Sequence, residues 1–329
     1  MAKVNFRNID KMLLSSKKVT ASRGCPITGS TDAIIISSKD RHGSPLRNII
    51  CQDSGLIYVD PVPFENTEEF YQTEYRKSYK RVHYPKPKHV YRAGKIALER
   101  YSRLSDLLPP SANCLDAGSS SGEFVYLLQS RDHNARGVEA NIPYAEYSRS
   151  QLEIPVSILP FSKFKTEEKF DLITMFHVLE HLEHPVRDLS HLGHLLKPGG
   201  YFVIEVPNIL YPNMAFSHKW HPGHLFSFSA KTLSMLMQKA GFKTISCAPI
   251  CDGGNLWGVF QFDSLSDLQN SPSSMSATAA YKELSRGRIL YHFYFWNYLK
   301  FISKGFGQIV EKIGAGGKNG RAILDHIYS

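Results

Sequence analysis

From Ala112 onward, short apolar runs alternate with amphipathic stretches. Cys114–Ala117, Ala135–Glu139, Asp171–His177 and Tyr201–Val206 read as buried strands. Gly122–Arg131, Pro143–Gln151, Pro185–Leu196 and Ala230–Ala240 read as helices. Such alternation predicts an α/β fold, a doubly wound and mostly parallel sheet covered on both faces. Lys243–Cys247 and Leu256–Phe262 add two edge strands. Upstream, residues 1–65 are rich in turn formers, with β-prone runs at Ala33–Ser37, Asn48–Cys51 and Gly55–Val59. The expected division is a small β-rich module (1–65), a basic helical connector (66–110), the α/β domain (111–264), and a Ser-rich linker with a helical tail (265–329).

The chain has 329 residues and 42% hydrophobic positions, enough for a packed core, which excludes a mainly disordered chain. No run reaches the roughly 18–20 apolar residues that span a bilayer. Five scattered cysteines and an N-terminus without an apolar core predict reduced thiols in a cytoplasmic protein. The net charge of +9 is concentrated: Arg76, Lys77, Lys80, Arg81, Lys86, Lys88, Arg92 and Lys95 fall in one acid-free segment, with Tyr75, Tyr79, Tyr84 and Tyr91 between them. That pattern suits phosphate groups, though charge runs are often only solvated faces.

Residues 113–124, NCLDAGSSSGEF, combine a strand, a small-residue turn and a helix start. Glycines there bring backbone close to a ligand, and Glu139 closes the next strand where a ribose-holding acid is expected. The segment resembles the glycine-rich first motif of the class I S-adenosylmethionine-dependent methyltransferases. KFDLITMFHVLEHL (169–182), LLKPGGYFVIEVP (195–207), HLFSFSAKTL (224–233) and AGF (240–242) resemble later motifs of that family, in family order. The resemblance implies a Rossmann-like seven-stranded domain whose cofactor is S-adenosylmethionine. Asp116, Gly118, Ser119, Ser120, Gly122, Glu139, Phe176 and His177 are then the cofactor-side residues. Ser120 replaces the usual middle glycine, and the acid that reaches adenine after the third strand is missing from Val156–Lys163.

Histidines form two groups. His177-Val-Leu-Glu-His181 is a literal H-x-x-E-H, the spacing of inverted zinc peptidases. Here it follows a strand at the place of the family's VLEH, so it needs no metal, and no metal site is expected. His181 is placed at the acceptor border. His224 matches the histidine base of sugar C-methyltransferases, which the chain also resembles, but Gly223 stands where their glutamate would be. Cys25/Thr28 and Cys51/Ser54 resemble the knuckles of a zinc ribbon in which half the thiols are lost. In the ubiquinone O-methyltransferase-like and sugar C-methyltransferase-like group such a module covers the acceptor.

Arg288–Lys304 predicts an amphipathic aromatic helix, either packed on protein or touching a membrane surface. The expected activity is O- or C-methylation of an anionic small molecule such as a phosphate-bearing sugar, polysaccharide or lipid intermediate. A nucleic-acid methyltransferase, which the sequence disfavours, and a non-catalytic cofactor-fold module are the alternatives, with a zinc peptidase at H-x-x-E-H a remote one.

Overall fold

The computed structural model describes residues 18–65, 69–70, 84–263, 277–293, 311, 313–317 and 319–329. In chain order the strands and helices are β1 (Lys18–Thr20), β2 (Asp32–Lys39), β3 (Pro45–Cys51), β4 (Ile57–Val59), α1 (Pro87–Leu104), β5 (Asn113–Ala117), α2 (Glu123–Ser130), β6 (Asn134–Glu139), α3 (Ile142–Gln151), β7 (Val156–Ile158), β8 (Phe170–Phe176), α4 (Pro185–Gly193), β9 (Leu196–Pro207), β10 (Phe226–Ser227), α5 (Ala230–Lys239), β11 (Phe242–Ile250), β12 (Asn255–Phe262), α6 (Ala277–Phe293) and α7 (Gly320–Tyr328). The main sheet has seven strands in the order β11-β12-β9-β8-β5-β6-β7. β12 alone runs against the others, because it pairs antiparallel with both β9 and β11. The two late strands are therefore not both at the edge: β12 lies inside, between β9 and β11.

β5 pairs with β6 on one side and β8 on the other, both parallel. The chain reverses its direction of winding there, so the C-terminal ends of these strands part and leave a crevice. The strands that flank it are continuous apolar runs. Leu115, Ala117, Leu172, Ile173, Met175, Phe202 and Ile204 have essentially no exposed surface, as expected for a sheet covered on both faces. Helix boundaries follow local chemistry. Ser229 and Thr232 form a reciprocal capping box at the start of α5, and Asn141 accepts from Tyr144 N at the start of α3.

The N-terminal strands form a second, antiparallel sheet, β1-β2-β3-β4-β10. Its last strand comes from the α/β domain, where Phe226 and Ser227 pair with Tyr58 and Ile57. The segment that follows His224 thus completes the N-terminal module's sheet. Inside the module Cys25 Sγ lies 3.2 Å from Ser54 Oγ, and Thr28 Oγ1 lies 3.7 Å from Cys51 Sγ. The four knuckle positions meet, with two thiols and two hydroxyls. On the module's outer face Ala277, Ala280 and Leu284 of α6 pack against Ile34, Ile50 and Ile57.

α7 docks on α1. Gly94 admits it, since a side chain there would press on Leu324. The Tyr328 hydroxyl donates to Glu123 O at 2.9 Å, which pins the first turn of α2. Most of the aromatic tail, together with Arg76, Lys77, Lys80 and Arg81, lies outside the described residues. No helix among the described residues is long and apolar enough to cross a membrane.

Candidate functional site

A cavity of about 860 Å³ opens at the C-terminal ends of β5, β6 and β8. That is within the roughly 300–1,000 Å³ typical of small-molecule sites. Asp116, Gly118, Ser119, Ser120, Glu139, Phe176, His177, His181 and His224 all line it. Residues from four separate segments predicted as a site are therefore brought together.

Gly122 is the exception. It adopts φ +84 at the N-cap of α2 and faces Ile154 and Ser148, with no space for a side chain. Its freedom shapes the turn, and it does not line the cavity.

The glycine-rich turn is held by the acid at the end of β6. Glu139 Oε2 accepts from Ser120 N at 2.7 Å, and Oε1 accepts from Asn141 N at 2.7 Å. Ser120 is left-handed at φ +53, a conformation that costs a residue with a Cβ roughly 1–2 kcal/mol. The charged hydrogen bond to its amide offsets part of that. Gly118 is also left-handed, at φ +87, and a Cβ there would collide with Val178. Ser119 Oγ is buried without a hydrogen-bond partner. These features fit S-adenosylmethionine: a carboxylate with lone pairs left for a ribose diol, an orphan hydroxyl, and a turn with no side chain in the way. The acid wall, Asp116, Glu123 and Glu139, suits a ligand that carries a sulfonium and an ammonium.

Asp116 accepts from Thr174 Oγ1 at 2.7 Å. Burial pushes its pKa up to about 6, and the Thr174 bond offsets only part of this. A carboxylate that is harder to ionise in the folded state weakens the fold as it ionises. The cost grows as pH rises from about 4 to about 6 and is constant above, reaching about 3 kcal/mol. Asp116→Asn keeps an acceptor for Thr174 and removes the charge. Its melting temperature is expected to exceed that of the parent at about pH 8, with the gap closing near pH 4. Thermal melts across pH check this.

Behind the cavity lies a network that sequence reading missed. Glu205 on β9 receives Arg100 Nε at 2.7 Å, Asn255 Nδ2 at 2.6 Å and His177 Nε2 at 3.3 Å. Burial works against its charge, but His177 and Arg100 hold its pKa at about 2. His177 ends β8 at φ +56, its amide donating to Glu205 O at 2.8 Å. Burial alone would lower its pKa, yet contacts with Glu180 and Glu205 raise it to about 9. The Arg100 guanidinium lies 4.1 Å from the Phe176 ring centre, so α1 braces the cavity's apolar wall.

The acceptor-side histidines come from two segments. His181 Nδ1 lies 2.6 Å from Gly223 O; the carbonyl can only accept, so Nδ1 carries the proton. The His181 and His224 rings meet at 4.9 Å, and His221 stacks on His224 at 4.3 Å. Burial holds His224 well below the usual imidazole range, so it stays neutral. Glu180, absent from the predicted site, is buried beside them.

Two further sequence features are placed by the fold. Among the described cations of the basic segment, Lys86, Lys88, Arg92 and Lys95 do not line the cavity. Arg92 instead makes a two-pronged bond to Glu311, with both contacts at 2.6 Å. After β7, where no acid was found for adenine, Pro160, Phe161 and Ser162 reach the cavity. An apolar ring and a hydroxyl occupy that wall.

Residues 88–247 match a family described as a methyltransferase domain. The chain is 28% identical over 86 residues to a protein of Mycolicibacterium smegmatis named "Probable S-adenosylmethionine-dependent methyltransferase". The match covers 26% of this chain and 34% of that protein, so the chain spans about a third of the length of the curated relative it matches. Solved structures with a similar course include the 1,6-didemethyltoxoflavin-N1-methyltransferase of Burkholderia thailandensis, at 19% identity and TM-score 0.47, covering 64% of this chain and 97% of that one. The CcbJ methyltransferase of Streptomyces caelestis is similar at 15% identity and TM-score 0.46, covering 60% and 99%. The match of residues 88–247 to a methyltransferase domain and the similarity to that relative point to S-adenosylmethionine as the cofactor.

Proposed function

We propose that the protein methylates an oxygen or carbon of a small anionic acceptor, in the class of phosphate-bearing sugar, polysaccharide or lipid intermediates. The observation that carries this reading is one cavity lined by two chemically distinct groups of residues, which we take as its two ends. One end has the glycine turn, Ser119 and Glu139; the other has His181, His224, His221 and Arg187. In this reading Asp116, Gly118, Ser119, Ser120 and Glu139 hold the cofactor, while Phe176 and His177 form the wall between the ends. The cofactor supplies an activated methyl group on a cationic sulfur. Catalysis by the chain is then mostly a matter of holding acceptor and methyl group in line. His181 and His224 engage the reacting group of the acceptor and its proton. Strand β10, which follows His224 and pairs with β4 of the N-terminal module, supports a role for that module as a cover over the acceptor.

Calorimetry of the full chain with S-adenosylmethionine and S-adenosylhomocysteine is the first test. Transfer of labelled methyl to nucleotide sugars, lipid-linked sugars and RNA is the second. One bound cofactor and transfer to a sugar or lipid acceptor are expected. Transfer to RNA would establish the nucleic-acid alternative, and absence of cofactor binding would overturn the enzymatic reading.

A further inference from the structure

Methyl transfer requires no buried acid at the acceptor end, yet Glu180 is there, 1% exposed. Neither of its carboxylate oxygens accepts a hydrogen bond. His177 Nδ1 pairs with it at 3.5 Å and His181 Nε2 stands 3.9 Å away, ion-pair distances longer than good hydrogen bonds. A carboxylate taken out of water needs close compensation. Ligand-competent atoms of Glu180, His181 and His224 lie within 4.8 Å of one another. The contact of His181 Nδ1 with Gly223 O leaves Nε2 as the lone-pair atom facing Glu180. A backbone carbonyl that fixes the tautomer in this way is characteristic of metal-binding histidines.

We infer that Glu180, His181 and His224 form a site for a divalent first-row metal ion of the zinc class. Two imidazoles and one carboxylate leave coordination positions open, and the site faces the cavity. Bond lengths of about 2.0–2.2 Å would bring the three donors to about 3–3.5 Å apart, a contraction of about an ångström. Glu180 and His181 lie on a single short turn, Leu179–His181, and His224 follows Gly223, so the movement is local. The site is not that of the peptidase motif. His177 bridges Glu180 and Glu205 through its two ring nitrogens, and His224 from another segment supplies the second imidazole.

One carboxylate and two neutral imidazoles leave the ion with a net single positive charge, which suits an alkoxide or phosphate oxygen. The inference rests on the reading that the acceptor occupies this end. There the ion would bind the acceptor's hydroxyl oxygen and lower its pKa, as it does for bound water. The O–H bond would break with its electron pair left on oxygen; with both imidazoles on the ion, His181 and His224 act on the acceptor through the metal, and the proton would pass to water.

The test uses the full chain, stripped with a chelator and titrated with cobalt(II) and zinc(II). One equivalent is expected, with a visible cobalt spectrum lacking sulfur charge-transfer bands. Glu180→Gln and His224→Ala should each weaken binding at least tenfold, with far-ultraviolet circular dichroism unchanged. If Glu180→Gln does not fold, His224→Ala carries the measurement. Cys25→Ser with Cys51→Ser controls for the paired thiols and should leave the site intact. No stoichiometric binding, or binding lost with the thiols instead, overturns the metal site. Metal-free protein that methylates at full rate also overturns it while leaving the methyltransferase reading in place. Failure to bind S-adenosylmethionine at all overturns that reading instead.

Discussion

Glu139→Ala is expected to weaken S-adenosylmethionine binding by about a hundredfold and to lower the melting temperature. Two effects coincide in this one side chain. The carboxylate accepts the amides of Ser120 and Asn141, both at 2.7 Å. A hydrogen bond to a charged group contributes about 1.5–3 kcal/mol, and an amide left buried without a partner costs about 1–3 kcal/mol. Losing the acid therefore releases the turn at Ser120, whose left-handed backbone then has one restraint fewer. The same carboxylate is the group proposed to receive the ribose hydroxyls. Two lost bonds of that kind amount to about 3 kcal/mol, or about a hundredfold in affinity. Glu139→Gln separates the effects. Its amide oxygen can still accept one backbone amide, so stability should recover more than affinity. Calorimetric titration and melting of both variants are the measurements. If Glu139→Ala bound the cofactor within about twofold of the parent, the ribose assignment would be wrong.

The turn that Glu139 holds was legible in the sequence because its signals are local. A strand, a run of small residues and a helix start sit within residues 113–124, and the acid ends the next apolar run. The parallel sheet was legible for the same reason, since burial on both faces writes continuous apolar strands. What was not legible depends on pairing between distant segments. β12 enters the sheet beside β9, and nothing in its own residues sets it inside and not at the edge. Phe226 and Ser227 look like the approach to α5, yet they complete the sheet of the N-terminal module. Arg100 lies in a helix whose sequence reads as a charged surface, but it turns inward to Glu205, 105 residues away. Glu180 was visible in VLEH. Its burial without a hydrogen-bond partner depends on how the segment around His224 folds over it, and no local pattern encodes that.

Glu205→Ala is expected to destabilise the chain by about 3–5 kcal/mol, the usual cost of removing one partner from a buried ion pair. For a domain of this size that is a fall of about 10 °C in melting temperature. The position joins four elements. Glu205 stands on β9 beside Phe176 of β8 and Trp257 of β12, and it bonds Arg100 of α1. Without it, Arg100 and His177 lose their shared anion, and the Asn255 amide loses an acceptor at 2.6 Å. The guanidinium would then lose its fixed place over Phe176, so the cavity wall should loosen as the fold weakens. Acidification provides the check on mechanism. Held at about 2 in the folded state, against about 4.3 for a free glutamate, the carboxylate stabilises the fold fully above the unfolded value. That contribution is lost as pH falls through the folded value. The stability gap between parent and variant should therefore be widest near neutral pH and shrink between about pH 4 and pH 2. Glu205→Gln preserves shape and one acceptor while removing the charge, and it should lie between the two. A gap that stayed constant on acidification would mean that packing, and not the charge on Glu205, holds α1 against the sheet.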